Sequence, residues 1–449
     1  MSFQQGLSGL NATSKSLEVI GNNIANSGTY GAKSSRAEFA DFYAASLNGS
    51  TANGAGIGVY LANISQQFTQ GSITATDNPL DIAVNGRGFF QVSDGASPTK
   101  YTRNGQFKLD REGYIVNNGG LKLLGYEADL RTGQIKPGLA VPIKLPTGVI
   151  DPRATDEIRM QLNLDATKKV SKPATGPDID FTDSTTYNNA TSLTIYDVKG
   201  SPVALTYYFQ RSSGATPAAP TAPDVWEVFA TANGLTVLPA GAVDNSAPAA
   251  IGSITFDPAT SKPSAFTPGA GFTGTIDPTT NAIEIGFGTI TGAANSSGLI
   301  PQPISGIEMT MDISQFASPF GVTNLSQTGF SAGQLVSIGI EDNGIVTARY
   351  SNGQTKSAGQ IEVANFRNLQ GLQPLGDNLW ASTFASGGAV TGVPGEGNLG
   401  VLQAGALEES NIDLTAELVN MITAQRAYQA NAQTIKTQDQ VLQTLVNLR

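Results

Sequence analysis

The side chains that could do chemistry in this chain are carboxylates, hydroxyls and amines, because the sequence contains neither cysteine nor histidine. This composition removes thiolate nucleophiles, imidazole bases, disulfides and zinc sites of the Cys/His type. A pair of acidic residues such as Asp81 and Asp110 is what a carbohydrate hydrolase would use. No pocket signal accompanies such a pair in the sequence. We therefore predict no catalytic, cofactor-binding or metal-binding residues and a chain that is not an enzyme.

Charge is scarce along the whole chain. Charged residues make up 14% of the 449 residues, against roughly 25% in ordinary soluble domains. A surface with few charges suits broad protein–protein contact, because few ions lose their water when two surfaces meet. The net charge is −10, and no basic cluster exceeds a pair such as Lys168 and Lys169. Nucleic-acid binding needs a positive surface, so we predict no such partner.

The sequence shows neither a membrane span nor a signal-peptide pattern. No apolar run is long enough to cross a bilayer, and polar residues interrupt every apolar stretch near the single N-terminal Lys15. The absence of cysteine fits two explanations: chance, or export of an unfolded chain into an oxidising space. We predict an extracellular protein that is exported without a cleaved signal and that does not insert into a membrane.

Both ends of the chain carry apolar residues at intervals of seven. Residues 2–26 and 411–449 are predicted as helices, and a repeat of seven is typical of coiled-coil pairing. The intermediate positions Ser14, Gly21 and Gln425 are not apolar, so we expect a pair that is ordered only inside an assembly. The alternative is two ordinary amphipathic helices on a globular core. The residues predicted to form the coiled-coil and polymer interface are Phe3, Leu7, Leu10, Leu17, Ile20, Ile24, Leu414, Leu418, Met421, Tyr428, Ile435, Leu442, Leu445 and Val446.

The start of the second helix carries capping signals. Ser410 and Asp413 have the spacing of a capping box, and acidic residues from Glu408 to Glu417 lie where the helix dipole favours negative charge. At ~1.5 Å per residue the helix would be about 58 Å long, more than the neighbouring segments would cover by themselves. This length favours pairing within an assembly.

Strand patterns dominate between the two helices. Apolar and polar residues alternate over 307–313 and 283–287, and 336–350 predicts a hairpin around Asn343-Gly344. The predicted fold class is multidomain and mainly β, with long terminal helices that pair as a coiled coil and with nested, discontinuous domains. The predicted domains are a terminal helical domain (1–30 and 405–449), a β-rich core domain (31–150 and 326–404) with an N-terminal connector at 31–70, and an inserted outer β domain (151–325). Residues 27–60 are predicted to be rich in loops, notably over 48–58.

Several ordered motifs resemble the flagellar axial proteins, the rod and hook family, and most closely the hook members. They are residues 21–27 (GNNIANS), 31–33 (GAK), 79–84 (PLDIAV), 88–92 (GFFQV), 101–107 (YTRNGQF), 405–413 (GALEESNID), 425–428 (QRAY) and 433–437 (QTIKT). The signature residues are Asn22, Asn23, Asn26 and Lys33, and Ala32 replaces the aromatic residue usual before the Lys. The resemblance covers about 1–130 and 330–449. The inserted region matches only loosely, and its presence favours hook over rod.

The resemblance implies a structural subunit that polymerises into a curved, flexible, hollow tube and transmits torque from rod to filament. The implied partners are copies of the chain, rod proteins, the hook cap, the hook–filament junction proteins and the flagellar secretion apparatus. The implied location is the flagellar hook, outside the cell. The alternatives are another axial protein such as the distal rod, or a secreted surface adhesin.

The resemblance also implies recognition of the N-terminal stretch by the secretion apparatus. An aromatic patch around Phe39 and Tyr43 is the candidate export motif. The alternative is that Phe39 and Phe42 simply pack on the β domain.

Overall fold

The computed structural model describes residues 2–42, 58–129, 133–136, 138–173, 178–214, 222–237, 243–244, 248–290, 294, 298 and 300–447. The chain divides into two compact units. Unit 1 is Met1–Thr147, Leu335–Arg349 and Thr355–Arg449, and unit 2 is Gly148–Gln334 and Tyr350–Gln354. The three-domain division made from sequence, with its separate helical domain, stays a prediction. Among the described residues, no helix has both the length and the apolar character that a membrane crossing requires.

Two long helices lie at the chain ends, both in unit 1. The first, α1, spans Ser2–Asn26 as predicted, and the second, α2, spans Leu414–Asn447. The second begins three residues later than predicted, because Asp413 alone is its N-cap. The Asp413 carboxylate accepts hydrogen bonds from the backbone N–H groups of Thr415 (2.8 Å) and Ala416 (3.1 Å). Ser410 accepts from Ile412 N outside the helix, so its predicted place in a capping box was wrong.

Between the helices, the described part of the chain contains thirty-one strands. The first ten are β1 Ser35–Phe42, β2 Gly58–Gln66, β3 Ile73–Ala75, β4 Ile82–Asn85, β5 Phe89–Ser93, β6 Lys100–Thr102, β7 Lys108–Leu109, β8 Ile115–Val116, β9 Lys122–Glu127 and β10 Val141–Pro142. The next twelve are β11 Glu157–Asp165, β12 Asn189–Tyr196, β13 Pro202–Ser213, β14 Val225–Ala232, β15 Leu235–Val237, β16 Val243–Asp244, β17 Gly252–Phe256, β18 Pro263–Pro268, β19 Thr273–Ile276, β20 Ile283–Gly286, β21 Glu308–Phe316 and β22 Gly321–Gln327. The last nine are β23 Leu335–Ile340, β24 Ile345–Tyr350, β25 Thr355–Ile361, β26 Val363–Asn365, β27 Gln373–Gly376, β28 Leu379–Ala381, β29 Val390–Gly392, β30 Val401–Ala404 and β31 Ala406–Glu408.

Unit 1 is built on a 13-stranded sheet whose main path runs β23-β24-β25-β9-β5-β6-β28-β27. Late strands, β23–β25 on one side and β27–β28 on the other, therefore flank the early strands β5, β6 and β9 within one sheet. Two further pairs, β3 with β31 and β4 with β30, also join an early strand to a late one. One buried core contains Phe90, Leu123 and Val363, and a second is aromatic, with Phe89, Tyr101 and Trp380.

The predicted hairpin over 336–350 forms as β23 and β24. Its turn contains Gly344 at a φ of +84°, a left-handed conformation that glycine adopts without a Cβ clash. The residue pattern was sufficient here because a tight turn joins two neighbouring strands.

The connector at 31–70 contains a hairpin that was not predicted. Its strands β1 and β2 pair antiparallel from Ser35 opposite Gln66 to Phe42 opposite Gly58. Residues 48–57, on which the prediction of a loop-rich stretch rested, lie outside the described residues. The residues that suit a pleated strand include Val59, Tyr60 and Ile64, and each of these side chains is between 37% and 52% exposed. Because this hairpin buries little apolar surface, its strands lack the clean alternation by which a strand is recognised in sequence.

Unit 2 is a β-sandwich. A five-stranded sheet, β19-β20-β21-β11-β22, and a seven-stranded sheet built on β12-β13-β14-β15-β16 contribute to one continuous core that includes Tyr207, Phe209 and Trp226. The alternation predicted over 307–313 is confirmed in β21, where Met309, Met311 and Ile313 are buried. Strands β11 and β21 pair in parallel, from Glu157 opposite Glu308.

Candidate functional site: the junction between the helices and the sheets of unit 1

A buried ion cluster connects three segments that are far apart in sequence. Lys33 lies between α1 and β1, Arg103 directly follows β6, and Glu408 ends β31. Lys33 Nζ is 2.6 Å from Glu408 Oε1, and Arg103 Nη1 is 2.9 Å from Glu408 Oε2. The side chains of Lys33, Arg103 and Glu408 are 1%, 6% and 0% exposed. One carboxylate is thus shared by two cations in the interior.

Backbone groups also bind these three side chains. Lys33 Nζ donates to the Thr69 carbonyl (2.7 Å), and Arg103 donates to the carbonyls of Val84 (2.9 Å) and Gly86 (2.6 Å). The N–H of Gly71 donates to Glu408 Oε1 (3.0 Å). The cluster therefore holds the backbone on either side of β3 and β4 as well as the two chain ends.

The shared carboxylate has electrostatic consequences for both cations. Burial lowers the pKa of Lys33, and the neighbouring Arg103 lowers it further, while the charge and hydrogen bond of Glu408 act in the opposite direction. Burial also lowers the pKa of Arg103, and Glu408 again opposes the shift. Glu408 is the negative charge that offsets both cations, so its removal would leave two buried ions without a counter-charge.

Gly31 lets the chain pass the Arg103 backbone. Its φ is +71°, and its N–H donates to the Glu408 carbonyl (2.8 Å). A Cβ built on Gly31 would lie 2.6 Å from the Arg103 carbonyl carbon, a distance that ordinary contacts do not reach. The next residue, Ala32, is 2% exposed. The Gly-Ala-Lys motif therefore packs closely against the Arg103 backbone and places Lys33 in the ion cluster.

Asparagine side chains clamp the start of β1 from both sides. Asn23 of α1 accepts from Ser35 N (2.9 Å) and donates to Ser35 O (2.8 Å) and to Glu417 Oε1 of α2 (3.2 Å). Asn411 accepts from Ser34 N (2.8 Å) and donates to the Gln67 carbonyl (2.7 Å). Side-chain hydrogen bonds thus satisfy backbone groups where the chain leaves α1 and enters β1.

The four predicted signature residues divide into two groups. Asn23 and Lys33 lie at the junction, with 2% and 7% of their surface exposed. Asn22 and Asn26 bond each other at the exposed end of α1, where Asn26 Nδ2 donates to Asn22 O (3.0 Å) and Asn22 Oδ1 (3.3 Å). No pattern in the sequence predicted that Arg103 and Glu408 contact Lys33, although all three residues lie in the motifs shared with the family.

The two helices lie side by side and antiparallel. Asn23 of α1 contacts Glu417 near the start of α2, while a Cβ on Gly9 would lie 2.8 Å from Asn431 and one on Gly6 3.1 Å from Ile435. Small residues on α1 thus permit a close approach. A groove of about 740 Å³ remains between α1, α2 and the β1–β2 hairpin.

Seven described residues of α2 are partly buried. They are Glu417, Met421, Ala424, Asn431, Ala432, Ile435 and Gln438. Apart from Met421 and Ile435 they are small or polar, so a pattern of apolar residues does not reveal them. Glu417, Ala424, Asn431 and Gln438 themselves recur at intervals of seven, which is the signal that apolar periodicity misses.

The structure distributes the predicted interface residues over different environments. Ile20 is buried, and Leu10, Leu17, Ile24, Met421 and Ile435 are half-buried. Leu7, Leu414, Leu418, Tyr428 and Leu442 are exposed by 37% to 53%. The side chains of Phe3, Leu445 and Val446 lie outside the described residues. The predicted pairing as a coiled coil therefore stays a prediction.

One of the two predicted export residues, Phe39, lies within the described residues. Phe39 lies in β1 with 40% of its surface exposed, so it is not packed away in a core. Tyr43 lies outside the described residues.

The two carboxylates considered for hydrolysis serve local turns. Asp81 accepts from Thr76 Oγ1 (2.9 Å) and Asn78 Nδ2 (3.0 Å), and Asp110 accepts from the N–H groups of Glu112 (2.9 Å) and Tyr114 (2.8 Å). Within the described ranges, no group of three or more acidic side chains is placed to hold a metal ion.

Four family models match the chain. Residues 3–33 match "Flagella basal body rod protein", and residues 83–165 match "Flagellar hook protein FlgE/F/G D1 domain". Residues 163–330 match "Flagellar basal body protein FlaE D2 domain", and residues 403–448 match "Flagellar basal body rod FlgEFG protein C-terminal".

Curated relatives match from end to end. The chain is 40% identical over 452 residues to the flagellar hook protein FlgE of Salmonella typhimurium and 39% identical over 450 residues to that of Escherichia coli, with 100% of each chain covered. Among solved structures, the Helicobacter pylori flagellar hook protein FlgE2 aligns with a TM-score of 0.49 at 15% identity, covering 75% of this chain and 99% of that one.

The substitution Glu408→Gln tests the ion cluster. It keeps the size of the side chain but leaves two buried cations without a counter-charge, so we expect the free energy of unfolding of unit 1 to fall by about 3–5 kcal/mol. Urea unfolding of the monomer, followed by circular dichroism, measures the change.

The matched control is Glu18→Gln, which breaks the exposed pair with Lys15 at 2.7 Å. We expect a change of less than about 1 kcal/mol there. A Glu408→Gln variant as stable as this control would contradict the role given to the cluster.

Proposed function

The chain belongs to the flagellar hook protein family, and we infer that it is the structural subunit of a bacterial flagellar hook. The observation that carries this inference is the end-to-end identity of 40% with the Salmonella typhimurium hook protein, in which both chains are fully covered. The match of residues 163–330 to a D2 domain model supports a hook subunit over a rod subunit, because that match falls on the inserted region.

The role we propose is structural and not enzymatic. The curated relatives are named as hook proteins, and the carboxylates Asp81 and Asp110 are bound to their own turns. We propose copies of the same chain as the main partner. Rod proteins, the hook cap, the hook–filament junction proteins and the flagellar secretion apparatus are the further partners. The proposed location is the hook of the flagellum, outside the cell.

We propose that α1 and α2 pair as a coiled coil that forms the inner layer of a hollow tube. The exposed apolar residues near the start of α2 support this arrangement. Leu414, Leu418, Val419 and Ile422 are exposed by 45% to 56%, and neighbouring copies would remove them from water. The groove between the helices supports it too, because a loosely packed pair gains order from neighbours. Such contacts are head-to-tail, since a tube needs one surface to meet a different surface repeatedly.

We also propose that unit 2 is the outer domain and affects how the tube bends. Unit 2 has its own core of large side chains, so it can move as a rigid body. The segments that enter and leave it are adjacent: Arg153 and Phe330 exchange two backbone hydrogen bonds, each 3.0 Å. A curved tube that rotates must change the spacing between neighbours in every turn, and small shifts between rigid domains can supply that change.

The first test is Leu418→Asp in α2. A charge on this surface would have to be desolvated in the tube, so we expect the critical concentration for polymerisation to rise by ~100-fold or more, while the monomer keeps its circular dichroism spectrum. Pelleting of polymer measures the effect. The control is Thr434→Asp, an exposed polar position on the same helix but on a different face. If Leu418→Asp polymerises as well as Thr434→Asp, the helical layer does not depend on this surface.

The second test concerns export. We expect the double variant Phe39→Ala and Tyr43→Ala to be secreted several-fold less than wild type by cells that lack their own hook subunit, because a recognised aromatic patch is removed. Immunoblotting of medium and cell fractions gives the secreted share. Tyr60→Ala, an exposed aromatic on β2, is the control. Secretion of the double variant at the level of the control would contradict recognition of Phe39 and Tyr43 by the secretion apparatus.

The third test removes most of unit 2 at the point where its entering and leaving segments are bonded to each other. Residues 154–329 are deleted, and Arg153 is joined to Phe330 by an Asn-Gly turn, which fits two antiparallel partners. We expect tubes still to form from unit 1 but with altered curvature and stiffness, visible by electron microscopy and in swimming speed. The control is full-length chain with the same dipeptide inserted after Gly138, a site with open space. Curvature and swimming equal to that control would show that unit 2 has no mechanical role.

A further inference from the structure

Phe384 stands out from the surface of unit 1. It lies in the loop between β28 and β29, and its side chain has a relative exposure of 103%. Among the described residues no other large hydrophobic side chain is as exposed; Leu139 follows at 93%. The ring therefore makes no contact that would explain its presence in the folded chain.

The loop that carries Phe384 is held firmly on both sides of it. Thr383 N donates to Ser386 Oγ (2.9 Å), and Ser386 Oγ donates back to the Thr383 carbonyl (2.8 Å). Thr383 Oγ1 donates to the carbonyl of Gly371 (2.5 Å), and Asn368 Nδ2 donates to that of Ala385 (3.0 Å). Ser386 is 1% exposed. The ring is thus presented by an ordered turn, not by a loose one.

The turn rests directly on the chain beneath it. A Cβ on Gly371 would lie 2.4 Å from Ser386 N and 2.5 Å from the Ala385 carbonyl carbon, so only glycine allows this contact. Because the backbone is already ordered, a partner that covers Phe384 pays little conformational entropy. Large aromatic side chains presented in this way are the typical anchors of protein–protein contacts.

The chain segment that carries Phe384 has little charge. Between Arg367 and Glu396 the only charged residue is Asp377, in a chain that carries a net charge of −10. Copies of such a chain repel one another, so they approach most easily where charge is sparse. A segment with little charge and an aromatic tip therefore fits a second copy of the same chain.

We propose that Phe384 is an anchor in a head-to-tail contact, inserted into an apolar surface of a second copy of this chain. The proposal rests on the proposed function as a polymer subunit, and it adds a specific contact on unit 1 outside the helices. In a head-to-tail contact each subunit donates one ring and receives one, so each subunit added to the tube gains one such contact.

The test compares Phe384→Ala, Phe384→Leu and Leu139→Ala with wild type. Since full burial of one Phe ring is what the first variant forfeits, we expect its critical concentration for polymerisation to rise about 10- to 100-fold. Phe384→Leu keeps part of the apolar surface and should fall between this variant and wild type. Leu139→Ala removes an equally exposed side chain and should polymerise within about twofold of wild type.

The variants are first compared by thermal unfolding, where we expect no shift because the ring touches nothing in the monomer. Phe384→Ala with a critical concentration equal to that of Leu139→Ala overturns the proposal, while the response of Leu418→Asp then decides separately whether the helical layer holds the polymer. A wild-type chain that does not polymerise at all overturns the proposed function and this contact with it.

A photo-crosslinking amino acid at position 384 identifies what covers the ring. In assembled tubes we expect an adduct of two copies of this chain, and mass spectrometry of the adduct locates the receiving surface. Tubes that yield no adduct, or an adduct only with a different flagellar protein, overturn the assignment to a second copy.

Discussion

The carboxylate of Glu408 is the interaction on which the arrangement of unit 1 depends. It is bound by Lys33 and Arg103, both buried, and it is the counter-charge of both. A buried ion pair is costly to form but far more costly to break from one side, because the remaining ion stays without water or partner. Displacement of any one of the segments that carry these three residues would therefore leave a buried ion unpaired. Thr69, Gly71, Val84 and Gly86 supply the remaining bonds, so the same condition extends to the chain around β3 and β4.

Both helices are attached near this cluster, α1 by its last residues and α2 by its first. Lys33 lies shortly after the end of α1, and Glu408 lies shortly before Leu414, the first residue of α2. The asparagine bonds of Asn23 and Asn411 to the start of β1 complete the attachment. Because the two helices are anchored at one end and pack through small and polar residues, most of the apolar surface of α2 remains available. That division suits a subunit whose helices gain their order and their buried surface from neighbouring copies.

Unit 2 has a different organisation. Its two sheets enclose one continuous core of large side chains, including Trp226, Tyr207 and Phe209, each fully buried. Its chain enters and leaves through segments that are bonded to each other, Ile150 with Gly333 and Arg153 with Phe330. A domain with its own core, attached by two segments that are bonded to each other, can tolerate much change in its surface loops. This tolerance agrees with the loose match of the region to the family pattern in the sequence.

Elements whose side chains repeat with a fixed local period could be predicted from the sequence alone. These are α1, the buried alternation of β21, and the β23–β24 hairpin around Gly344, because a helix or a tight hairpin is decided by residues a few positions apart. The sequence also determined, from ordered motifs at both ends, the family to which the chain belongs. The absence of cysteine and histidine removed whole classes of chemistry without any structure.

Only the tertiary structure decided which distant segments meet. Lys33 and Glu408 are 375 positions apart and Arg103 and Glu408 are 305 apart, and no local pattern relates them. The connector hairpin was missed because β1 and β2 bury little, so neither strand alternates clearly. The stripe of α2 that faces α1 was missed because Glu417, Ala424 and Asn431 are polar or small, and only the close approach of Gly6 and Gly9 makes them an interface. Contacts of this kind depend on the path of the whole chain, since the free energy that selects them is released only when the distant partner is already in place.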